Sequence, residues 1–138
     1  MEYLYKIGMS HPAELLILAF LAITFIQSGI DKITDWNGNV TFLKAHFSKT
    51  ILKNKVPLLL GVILIFEIIT GLLNVIGIVM IFIYENSFFG LLSTILAAKV
   101  LLALLLGQRI AKDYAGAMTI AVYFIIAIIG IILLQLLE

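Results

Sequence analysis

The chain has 138 residues, of which 63% are hydrophobic and 12% charged, with a net charge of +1 and no cysteine. An ordinary soluble domain is about 25% charged, so this much apolar surface needs a membrane, and the near-neutral balance argues against a nucleic-acid binder. Without cysteine there is no disulfide, no thiol catalysis and no thiolate ligation; His11 and His46 alone are too few and too separated for a metal site, so none is expected.

Residues 1–11 read as a short polar lead. Ser10, His11 and Pro12 then suggest a helix start, with Ser10 as a capping candidate and proline where its missing N–H does no harm. Glu14 in the first turn suits the positive end of the helix dipole. The first predicted span covers residues 12–30. Asp31 and Lys32 follow it without a small-residue cleavage pattern, so it is expected to remain as a span. Thr24, Gln27 and Asp31 recur at three- and four-residue spacing and share a face, and Ser28 lies beside them.

Residues 31–55 form the longest connection. Asp35 or Asn37 can cap a short helix that carries Val40, Leu43 and Phe47 at helical spacing, with Lys44, His46 and Lys49 on other faces. Such a basic amphipathic helix is expected to lie in the membrane interface, anchored by Trp36. His46 is read as part of that surface helix rather than as a ligand.

The second predicted span, residues 57–83, is almost wholly apolar yet contains Glu67 and Asn74. Glu67, Thr70, Gly71 and Asn74 lie on one helical stripe. Gly61, Gly71 and Gly77 allow close approach by neighbouring helices. The turn at residues 84–87 is short, which makes antiparallel neighbours. The third span, residues 88–106, carries Lys99. Gly107 is expected to stop it, and Asp113 to cap the next helix. The fourth span, residues 114–136, opens with Ala115, Gly116 and Ala117 and contains Tyr123.

These elements predict an all-α fold: one integral membrane domain over residues 1–138, a four-helix transmembrane bundle with an interfacial helix between spans one and two. Lys32, Lys44, Lys49, Lys53 and Lys55 share one side with Arg109 and Lys112, whereas the other side holds Lys6. The positive-inside rule therefore places both termini outside.

A carboxylate within a span needs a partner, a proton or a wet cavity. From the basic side, Glu67 lies about 15 Å into its span, Lys99 about 10 Å and Tyr123 about 13 Å. Gln27 is shallower, and Asn74 is deeper. The expected cluster is therefore Glu67, Lys99, Tyr123, Gln27 and Asn74, with Glu67 paired to Lys99. Three readings stay open. The pair fixes helix register; or the cluster lines a pocket for a small molecule such as a quinone head group; or it belongs to a proton or solute path.

Three stretches, FIQSGIDKITDWNG at residues 25–38, FEIITGLLNVIG at 66–77 and GQRIAKDYAGAMTIAVYF at 107–124, resemble the DoxX family of small four-helix bacterial membrane proteins. The resemblance covers nearly the whole chain. It implies a four-helix bundle in the bacterial inner membrane and a link by name to the membrane subunit of thiosulfate:quinone oxidoreductase. Its motif positions here are Ser28, Gly29, Lys32, Glu67 and Gly71. The related bundle of vitamin K epoxide reductase depends on paired cysteines, which this chain lacks. The expected function is a membrane subunit that binds a quinone or docks a redox partner. The alternative is a non-catalytic structural or assembly subunit. The expected partners are the lipid bilayer and a redox partner or a second copy of the chain, without nucleic acid. Cofactor chemistry within the chain itself is not expected.

Overall fold

Four apolar runs become four long helices in the computed structural model, which describes residues 1–137. The elements are α1 (Glu2–Ser10), α2 (Pro12–Thr34), α3 (Trp36–His46), α4 (Val56–Tyr84), α5 (Phe88–Ile110) and α6 (Tyr114–Gln135). At about 1.5 Å per residue each of α2, α4, α5 and α6 exceeds the roughly 30 Å of a hydrocarbon core. Each is apolar enough to cross it. Only 22–39% of each apolar window is buried within the chain, so most of that surface must meet a surrounding as apolar as itself. The chain is a multi-pass membrane protein built as an all-α four-helix bundle.

Helix α2 packs on α4, α4 on α5 and α5 on α6, and α6 closes back on α2 along a narrower seam. The seams are built from small residues, as expected where lipid removes the hydrophobic drive between helices. Ala97 and Ala98 of α5 and Ala127 of α6 are buried with Leu21 and Phe25 of α2. At the other end Ile7 of α1 seats among Leu15, Leu18, Ile81 and Leu134. Helices α4 and α5 meet backbone to backbone: a Cβ built on Gly77 would lie 2.8 Å from the Gly90 Cα and 2.9 Å from its nitrogen.

Several boundaries differ from the sequence expectation. The polar lead is a helix, α1, because Ile7 gains a buried seat and nothing before Pro12 stops the turns. Ser10 does not cap α2; its hydroxyl donates to the Lys6 carbonyl at 2.8 Å. The first span continues to Thr34 rather than ending at Ile30, which places Lys32 on the helix instead of in the loop. Gly107 does not stop α5. The helix runs to Ile110 and the chain turns at Lys112, whose φ of 59° is left-handed. Asp35, rather than the other candidate Asn37, caps α3 by accepting from the Gly38 N–H, and Asp113 caps α6 as the sequence predicts, accepting from the Gly116 N–H at 2.9 Å. Glu85, at φ 51°, closes α4, with the Asn86 N–H donating to the Met80 carbonyl.

Candidate functional site

The buried carboxylate of Glu67 is answered by Lys32. Lys32 Nζ donates to both carboxylate oxygens of Glu67, at 3.1 and 3.0 Å, and to Ser28 Oγ at 2.7 Å. An ammonium has three donors, and all three are used. Glu67 is 1% exposed, so its charge has no other relief. The local sequence explains how Lys32 reaches inward. It sits in the last turn of α2, one turn after Ser28, and helical side chains lean toward the N-terminus of their helix. The stem therefore runs back into the membrane. Helix α2 can come this close to α4 because two glycines give way. A Cβ on Gly29 would strike the Ile68 side chain, and one on Gly71 would lie 2.6 Å from Ile26 Cγ1 and 3.1 Å from its backbone nitrogen.

The expected pairing of Glu67 with Lys99 is therefore corrected. Lys99 is exposed on the outer surface of α5, while Ser93, Thr94, Ala97, Ala98 and Leu101 form the buried face of that helix. Depth along the span matched, but direction around the helix did not. The rest of the expected cluster is dispersed as well. Gln27 is exposed on α2. Tyr123 is half-buried and stands edge-on to Phe20, with ring centroids 5.9 Å apart. Asn74 is buried and belongs to a separate clamp. Its Nδ2 donates to the Thr70 carbonyl at 2.8 Å, and the Ser93 hydroxyl, shared with the Gly90 carbonyl, reaches its Oδ1 at 3.2 Å. That clamp ties α4 to α5. Of the five expected cluster residues, only Glu67 stands at the ion pair, and the motif positions Ser28, Gly29, Lys32 and Gly71 surround it.

A cavity of about 490 Å³ opens beside this pair. Helix α3 lies across it with Phe42, Leu43 and His46, and Phe47 follows at its C-terminal cap. Val56, Leu60 and Ile63 of α4 and Ala103, Leu104, Gly107 and Gln108 of α5 form its walls. Lys32, which holds Glu67, also lines it. The lining is mainly apolar with a few polar groups, the usual make-up of a small-molecule site. Gln108 Oε1 is buried there and has no hydrogen-bond partner, alone in this among the side-chain atoms of the described residues. A buried amide oxygen left without a donor is costly, which marks this point of the wall as one a ligand hydroxyl or N–H would complete.

His46 fixes the interfacial helix over the cavity. Its ring stacks on Phe42 at 5.4 Å and meets Phe47 edge-on at 5.2 Å. Its Nε2 lies 3.5 Å from Asp113 Oδ2, an ion pair whenever the imidazole carries its second proton. Asp113 thus holds the start of α6 with one oxygen and faces α3 with the other. The sequence reading placed His46 on a face away from the apolar positions of α3; it lines the cavity beside Phe47 instead. Gln108 lies beyond the expected end of the third span, and the longer α5 brings it onto the helix. The available signal was its place one turn after Leu104, on the same wall of α5.

No family model, no curated protein and no solved structure matches this chain.

Proposed function

We propose that this protein is a DoxX-type subunit of the bacterial inner membrane that holds a quinone in the cavity beneath α3 and docks a redox partner. The observation that carries the reading is the cavity itself. It is apolar, opens at the basic end of the bundle, and is lined by Lys32, His46 and the unpartnered Gln108 amide. Those residues come from α2, α3 and α5, so polar groups surround a ring from different sides. The Gln108 amide serves both redox forms. It presents Oε1 to a quinol hydroxyl or, turned by half a rotation, Nε2 to a quinone carbonyl. A bound quinone supplies two-electron, two-proton chemistry. The chain supplies a greasy sleeve for the head group and hydrogen bonds for its oxygens. Electrons would come from the partner, since the chain has no thiol.

The arrangement of Ser28, Gly29, Lys32, Glu67 and Gly71 around one contact supports the family resemblance. The basic residues of the 31–55 connection and of the α5–α6 turn support a cytoplasmic position for the cavity and an outward position for both termini.

A second reading is favoured by one observation. The Lys32 ammonium has all its donors engaged within the chain, which suits a register-fixing pair in a structural or assembly subunit.

Titration with a short-chain quinone separates the two. Quinone quenching of Trp36, the single tryptophan, is expected to saturate in the wild type. Gly107→Leu should abolish that saturation. A Cβ there meets only Phe47 Cζ at 3.8 Å, so the new side chain fills the cavity while the helix stays intact. Quenching that rises linearly in both proteins excludes the quinone reading and leaves the structural one.

A further inference from the structure

Lys99 stands at the midpoint of α5, eleven residues from Phe88 and eleven from Ile110. That is about 16 Å of helix on either side, and about 10 Å to the end of the apolar run at Leu106, more than a lysine stem spans by snorkelling. Its side chain is exposed, and no hydrogen bond or ion pair joins it to any described residue. Its neighbours on the same face, Leu92 two turns before it and Leu102 one turn after it, are also exposed, so the ammonium sits within an apolar stripe. Intramembrane charges as a rule face a partner or a cavity; this one faces outward.

The chain cannot supply the counter-charge through a second copy. Of the eight acidic residues of this sequence, Glu2, Glu14, Asp31, Asp35, Glu85 and Asp113 lie at helix ends or turns, and Glu138 follows α6. Glu67 is the one acid well inside a span, and Lys32 already holds it in the bundle interior. We infer that the outer face of α5, centred on Lys99, docks a transmembrane helix of a different membrane protein that carries a carboxylate near its own midpoint. Charge complementarity selects that helix, and the flanking leucines pack against it. The proposal is independent of the cavity, which lies at the basic end of the bundle and is lined by other residues of α5.

The test places a photoreactive benzoylphenylalanine at Leu102 in the full chain, in membranes of the cells that make it, with adducts identified by mass spectrometry. The expected adduct is a membrane protein with Asp or Glu at the centre of the cross-linked span. Its yield should fall at least about tenfold in Lys99→Met, because a buried charge is left alone, and persist in Lys99→Arg. Neutralising the partner's carboxylate should lower the yield as much as Lys99→Met does. Lys99→Met should melt like the wild type in detergent, since the side chain is exposed and makes no hydrogen bond or ion pair with the described residues. Adducts with lipid alone, with a second copy of the chain, or with a protein whose cross-link survives Lys99→Met would each overturn the proposal, as would the absence of any adduct.

Discussion

Lys32→Met should lower the unfolding free energy of the purified protein by about 3–5 kcal/mol, the usual cost of leaving one half of a buried pair alone. Glu67 is 1% exposed and has no second cation in reach among the described residues, so it cannot recruit a substitute. The double variant Lys32→Met/Glu67→Leu should recover most of that loss, because an apolar pair of similar volume removes both desolvation penalties. Lys99→Met is the control and should leave stability unchanged, since Lys99 is exposed and forms no hydrogen bond or ion pair with the described residues. Reversible unfolding in nanodiscs measures all three. A neutral Lys32→Met, or a destabilised Lys99→Met, would mean that the pairing is misassigned.

The second large effect is expected at the α4–α5 seam. Gly77→Ala sets a methyl group against the backbone of Gly90, at 2.8 and 2.9 Å. Backbone cannot move aside by changing rotamer, so the helices must separate. Overpacking of this kind costs about 1–3 kcal/mol and sometimes more. The displacement would also strain the Asn74–Ser93 clamp, which lies one turn away on α4. Gly61→Ala is the matched control on the same helix, because a Cβ there meets only Trp36 Cη2 at 3.8 Å. Thermal melting of the two variants in one detergent compares them directly. Equal melting temperatures would contradict the close helix contact.

The spans were legible because twenty or more apolar residues leave a helix few alternatives in lipid. The caps at Asp35 and Asp113 were legible because a carboxylate three residues before a helical N–H is a local signal. The partner of Glu67 was harder. Counting residues gives depth, and depth made Lys99 and Glu67 look matched. Direction around the axis decides contact, and on α5 the small residues at 93, 94, 97 and 98 mark the inner face opposite Lys99. A first span that ends at Ile30 leaves Lys32 in the loop, whereas α2 runs to Thr34 and carries it on the helix. The cavity could not be read from sequence, since it exists only where α3 folds across the ends of α4 and α5. Gln108 and His46 acquire their meaning there and nowhere earlier.

The proposed quinone site lies under α3, between the Lys32 side and the Gln108 wall. Photoaffinity labelling with an azido-quinone, followed by peptide mapping, examines it most directly. The expected adducts are confined to residues 43–47 at the end of α3 and to residues 103–108 of α5, and they are lost in Gly107→Leu. Adducts spread along the lipid-facing sides of α4 and α6, unchanged by Gly107→Leu, would contradict it.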